Sequence, residues 1–274
     1  MRLVSQSAFG SFDMTVKRGI GHTLRTVGGT ALLAITLLLA SAPAASARNP
    51  LSSYLSRLLD ESRAEIAVGQ LLADGFIAEL ASGTSPATVS TAVPAAPVSA
   101  DDEFIKRIVA DLATKCPRPT MPYSVAIVDS AIPADIPFPG GPIVITTALW
   151  QQAKSPVEKE FLIARNLMHV ALRQPMIAIK HEGLYARALK LLKQRTRDPQ
   201  LLRQAVRDYM KAAETMDQKR ADREGIMLSS NPAAVRDGGI LLLKRLTEML
   251  WPFQFGAVDD FLARVHALEL LVLP

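Results

Sequence analysis

The residues that could do chemistry in this 274-residue chain are few: four histidines and one cysteine. His169 stands in Ala164-Arg165-Asn166-Leu167-Met168-His169-Val170, on a stretch with the apolar spacing of an amphipathic helix. One histidine cannot hold zinc, which takes three or four protein ligands, so His169 alone reads as a hydrogen-bonded structural residue. His181-Glu182 is half of a metal motif, but Tyr185 occupies the place of the second histidine, so the pair reads as a surface helix start. A rearranged metal site would have to combine His169, His181 and Glu182. His22 lies in the N-terminal segment, and His266 reads as a surface or packing residue of the last helix. Cys116, just before Pro117, has no partner for a disulfide and reads as a structural thiol. No Gly-x-Ser-x-Gly elbow occurs, so a serine nucleophile has no support.

Helices must position these residues. Residues 52–80 carry apolar side chains at helical spacing, and the charge-free Ser/Thr/Pro/Ala-rich stretch 83–97 reads as a linker. Ser99 and Asp102 start a helix to about Lys115, and a Pro-rich turn follows. The β-branched runs 123–128 and 142–146 predict two strands of a small sheet. Ser155-Pro156-Val157-Glu158 is a cap, a first-turn proline and a capping-box acid, predicting a helix to about Arg173 that stops near Pro175. Further helices are predicted over 184–195, 199–214, 217–228, 232–250 and 258–271, with Asn231-Pro232 as another cap-plus-proline start. The fold class is α+β, mostly helical with a small sheet.

The N-terminal segment reads as an export signal. Lys17, Arg18 and Arg25 form a basic region, residues 31–40 an apolar core, and small residues lead to a cleavage point after Ala47. Met14 would give a more usual basic region than Met1. The apolar run falls short of the roughly 20 residues a spanning helix needs, so an uncleaved anchor is the alternative, and no cysteine supports a lipid anchor. The sequence pI is 9.4. Residues 1–47 hold four of the 31 basic residues and one of the 26 acids, which leaves a net charge of only +2 beyond them. That balance excludes a nucleic-acid partner. An apolar content of 49% allows a sizeable core. The expected organisation is a signal over 1–47, a helix over 48–82, a linker over 83–99 and a domain over 100–274, in the periplasm or secreted.

Residues 123–150, YSVAIVDSAIPADIPFPGGPIVITTALW, with Pro139-Gly140-Gly141 between two strands, resemble the strand–loop–strand of the zinc metallopeptidase family of HtpX, the CAAX prenyl protease and periplasmic BepA-like proteins. The glycines permit a tight turn expected to approach the active-site helix. Ala164, His169 and Val170 match the family's A-H-E-x-x-H-V helix, and Ala221 and Asp222 of Gln218-Lys219-Arg220-Ala221-Asp222-Arg223 match its later E-x-x-A-D motif. The resemblance runs from about Ser52 to the C terminus and implies a zincin-like fold. It also places Arg165 at the first histidine ligand, Asn166 at the general base, His169 at the second ligand and Gln218 at the third.

Those replacements carry their own chemistry. Arg165 brings a permanent positive charge to the metal position. Asn166 cannot activate a water, and the amide of Gln218 is a poorer zinc ligand than a carboxylate. No catalytic residue and no cofactor is therefore expected. Arg165 is expected to fill the vacated pocket and to pair with Asp222 or Asp217, because a buried guanidinium requires a partner. The implied function is a non-catalytic binding or scaffold protein of the cell envelope. Its protein or peptide partner would add as a strand along Gly141, Pro142, Ile143, Val144 and Ile145. Membrane contact would come only through an uncleaved signal. The alternative is an active metallopeptidase whose zinc site is atypical or completed by a partner.

Overall fold

Helix α4 (Pro156–Ala171) is the axis of the fold. It starts where the sequence predicts: the Ser155 hydroxyl accepts from the Glu158 amide at 3.3 Å, and Pro156 fills the first turn. Every residue from Phe161 to Ala171 is buried, so the polar side chains of this stretch are surrounded by protein and depend on partners within it. Arg173 turns left-handed (φ 58°), and α5 (Gln174–His181) begins at once with Pro175 in its first turn. The helix stops shortly before that proline, as the sequence suggests, and the proline then opens the next helix. His181-Glu182 consequently closes α5 rather than opening a helix, and the His181 side chain is exposed.

The computed structural model describes residues 50–82, 102–194, 198–250 and 255–273. The expected signal, its cleavage point, the linker and the Ser99 cap lie outside the described residues. The other helices are α1 (Pro50–Ala81), α2 (Asp102–Lys115), α3 (Thr147–Gln152), α6 (Leu184–Lys193), α7 (Pro199–Ala213), α8 (Gln218–Leu228), α9 (Pro232–Leu250) and α10 (Phe255–Glu269). The class is α+β, mostly helical around one small sheet. Among the described residues no helix is long and apolar enough to cross a membrane.

The sheet has three strands, β1 (Ser124–Val128), β2 (Asp135–Pro137) and β3 (Pro142–Thr146), in the order β1-β3-β2. β1 runs parallel to β3, and β2 runs antiparallel to it. The expected peptide-binding edge at Gly141, Pro142, Ile143, Val144 and Ile145 is thereby overturned: β3 is the central strand, bonded on both sides and buried throughout. β2 escaped the sequence reading because it is three residues long and ends in a proline. It forms one edge, and that edge is largely closed. Thr146 donates to the Ala134 carbonyl at 2.9 Å and Phe138 to the Pro142 carbonyl at 2.7 Å, so by alternation Asp135 and Pro137 turn their backbone outward. Pro137 has no N–H, and its carbonyl accepts from the buried Tyr209 hydroxyl.

Alternation along the strands splits the core in two. Ile143, Ile145 and Ile127 join α2, α4, α9 and α10 on one face, while Val144 and Val128 join α1, α5, α6 and α7 on the other. The helix predicted as a separate N-terminal segment is thus part of the second core, through Val68, Leu71, Leu72 and Phe76.

The Pro-Gly-Gly turn is tight as expected, with Gly140 at φ 73° and Gly141 at φ 126°. The nearest neighbours of the glycines lie elsewhere than on α4: Gly140 lies on the α1 backbone at Ile66 and Gly141 on the Pro122 carbonyl. Gly69 of α1 meets the same turn, and a Cβ there would fall 1.5 Å from the Pro139 carbonyl oxygen. Gly69→Ala should therefore lower stability by at least about 2 kcal/mol in urea unfolding, since two backbones would have to separate.

Candidate functional site

Four elements bring their polar side chains to one point on α4. Asp222 on α8 accepts from Arg165 Nε at 2.9 Å, and Asp135 on β2 accepts from Arg165 Nη1. Arg165 Nη2 donates to Gln218 Oε1. Asn166 Nδ2 donates to Asp135 at 2.7 Å and to the Leu162 carbonyl at 2.8 Å. His169 Nε2 lies 3.2 Å from Gln218 Oε1, and its Nδ1 lies 2.8 Å from Gln174 Oε1. On α10, Arg264 grips Asp222 with Nε at 2.7 Å and Nη2 at 3.0 Å. Arg165, Asn166, His169, Asp222 and Arg264 are all buried.

The backbone makes this convergence possible. Gly225 lets α8 rest directly on α4, where a Cβ would sit 2.8 Å from the Arg165 amide nitrogen. Asp217 caps α8 by accepting from the Arg220 amide at 3.0 Å. Of the two expected acids, Arg165 therefore pairs with Asp222 and not with Asp217. Arg165, His169 and Gln218 come together as expected. His169, His181 and Glu182 do not: no group of three His, Cys, Asp or Glu side chains placed to hold a metal occurs among the described residues.

Two members were missed from the sequence, Asp135 and Arg264. Asp135 is the one acid in the run from Pro133 to Gly141, which was a usable signal. Arg264 lies on an ordinary helical pattern in α10, and nothing local distinguishes it.

Burial penalises each charge, so the directions of titration show which pairings win. Burial pushes the Asp222 carboxyl up, but the Arg264 and Arg165 charges outweigh it and hold it below the usual range. Asp135 is likewise held low by Arg165 and by the Asn166 hydrogen bond, against its burial. Arg165 is stabilised as a cation by Asp135 and Asp222 despite its own burial. Burial and the Arg165 charge push His169 down to about 4, so the ring is neutral at physiological pH.

His169 then binds a proton in the unfolded chain before it does in the folded one. Between the ordinary histidine value near 6.5 and the folded value of about 4, the unfolded chain holds the extra proton. Stability should therefore fall as pH drops through this window, by up to about 1.4 kcal/mol per pH unit. Urea unfolding of the natural chain and of His169→Gln across that window should show the slope in the first and its loss in the second.

Above the network opens a cleft of about 800 Å³, within the range of ligand pockets. Its walls are apolar, with Leu149, Phe161, Leu242, Leu246 and Phe261, and its mouth carries Glu214, Asp217, Lys219 and Asp260. No protein-family model matches this sequence, and no curated protein matches it.

Proposed function

We propose that this chain is an exported, non-catalytic protein with a zincin-like fold, similar to the zinc metallopeptidases named above, and that its cleft serves to bind a protein or peptide partner in the cell envelope. The observation that carries this reading is the Arg165 guanidinium, buried between Asp222, Asp135 and Gln218 one turn before His169. Three positions that the resemblance equates with zinc ligands meet at one point, and a permanent cation fills that point. Asn166 at the general-base position donates through Nδ2 to Asp135 and to the Leu162 carbonyl and has no proton-accepting nitrogen. The cleft itself remains open and apolar-walled, which suits binding without chemistry. Because the β2 edge offers little more than Asp135, the partner is held by side-chain contacts in the cleft rather than as an added strand.

Elemental mass spectrometry of the purified protein after mild dialysis tests this reading. We expect zinc well below one equivalent per chain. About one tightly held equivalent would overturn it and favour an atypical metal site, with chelator-sensitive peptide hydrolysis as the next assay.

A further inference from the structure

The chemical class of the occupant can be read from the hydrogen-bond balance of the cleft floor, an inference that rests on the cleft being a binding groove. Gln174 Nε2 donates to the Asp217 carbonyl at 3.4 Å, which turns Gln174 Oε1 toward His169 Nδ1. The neutral ring therefore carries its proton on Nδ1 and a lone pair on Nε2. That lone pair faces Gln218 Oε1, itself an acceptor from Arg165, so two acceptors stand 3.2 Å apart. Asn166 Nδ2 makes two donor bonds, which fixes its amide and leaves Oδ1 buried without a partner. This floor lacks donors, not acceptors.

The arginines do not supply the missing donors. Arg165 donates once each from Nε, Nη1 and Nη2, Arg264 donates from Nε and Nη2 to Asp222 with Nη1 3.8 Å from Asp260, and none of these bonds reaches Asn166 Oδ1 or His169 Nε2. Among the residues lining the cleft, the acids Asp135, Glu214, Asp217 and Asp260 outnumber the bases Arg165, Arg264 and Lys219. A carboxylate entering the cleft would meet acceptors and negative charge, whereas a cationic donor would meet complementary groups. The apolar walls at Leu149, Phe161, Leu242, Leu246 and Phe261 suit aliphatic or aromatic neighbours of that cation.

We infer that the cleft takes a peptide segment in which a lysine or arginine sits beside apolar residues, and that it rejects the same segment carrying an acid. Three fluorescent, end-blocked peptides with one apolar sequence and a central Lys, Gln or Glu test this by anisotropy with the whole protein. The Lys peptide should bind at least tenfold more tightly than the Glu peptide, with Gln between. The variant Glu214→Gln with Asp260→Asn, changed only at the exposed mouth, should weaken the Lys peptide severalfold and leave the Gln peptide unchanged. Equal binding of all three peptides, or preference for Glu, would overturn the charge selectivity while leaving the groove standing. Binding of none of them would overturn both the selectivity and the groove.

Discussion

An Asp222→Ala chain should unfold at a much lower urea concentration than the natural protein, with a loss of about 3–5 kcal/mol. Asp222 is fully buried and is the shared acceptor of two buried guanidinium groups, Arg165 and Arg264. Removing it leaves Arg264 with the Phe261 ring face and the long contact to the exposed Asp260, and Arg165 with Asp135 and an amide. Asp222→Asn, which keeps the shape and removes the charge, should lose most of the same amount, separating charge from cavity formation. Adding Arg165→Met to Asp222→Ala should recover part of the loss, because one stranded cation is removed along with the acid. By contrast, Glu61→Ala breaks an ion pair with Lys180 whose side chains are 38% and 46% exposed, and should cost under about 1 kcal/mol. The acid limb follows the same logic. The carboxyls of Asp222 and Asp135 are held below their ordinary range, so their contribution is present above about pH 4 and disappears as pH falls below it. A measured Asp222→Ala loss near that of Glu61→Ala would show that Arg165 is not buried in this network.

The second large effect is a gain of function. Arg165→His together with Gln218→Glu should raise zinc content from well below one equivalent to about one per chain. Arg165 and His169 lie one turn apart on the same face of α4, and both reach Gln218 on α8. Two histidines so spaced and a carboxylate from a second helix are the ligand set of a zinc site with an open position for water. His169 is already neutral and oriented by Gln174, as a ligating imidazole must be. The Arg264–Asp222 pair survives the exchange, so α10 stays anchored to α8. Asn166→Glu would add the general base, but it would set a second carboxylate against Asp135, now 2.7 Å from the Asn166 amide. Asp135→Asn should therefore accompany it. Failure of the double variant to take up zinc while remaining folded would count against a common geometry with the metallopeptidases. Uptake of zinc by the natural chain would do so differently, by showing that Arg165 does not block the site.

The parts of this protein written in neighbouring residues were legible without coordinates. Ser155-Pro156-Val157-Glu158 and Asn231-Pro232 begin helices in the structure as their local capping chemistry dictates: Asn231 accepts from the Ala234 amide at 3.2 Å, as Ser155 does from Glu158. The requirement that Arg165 pair with an acid was equally local, since it follows from a guanidinium on a helix too apolar to leave the core. What the sequence could not decide was where distant elements meet. Asp135 reaches Arg165 because a three-residue strand with no periodicity of its own pairs with β3, and that same pairing moved β3 from the edge of the sheet to its centre. Arg264 joins Asp222 because α10 packs beside α8, which no spacing within either helix expresses. The Pro-Gly-Gly turn was predictable as a turn, yet its contact with α1 rather than α4 depends on Gly69 lying some seventy residues earlier in the chain. Capping and hydrophobic period act within a few residues and so can be read along the chain. Strand order, helix contacts and the choice of an ion-pair partner are settled by burial of the whole core, and only the tertiary structure decided them.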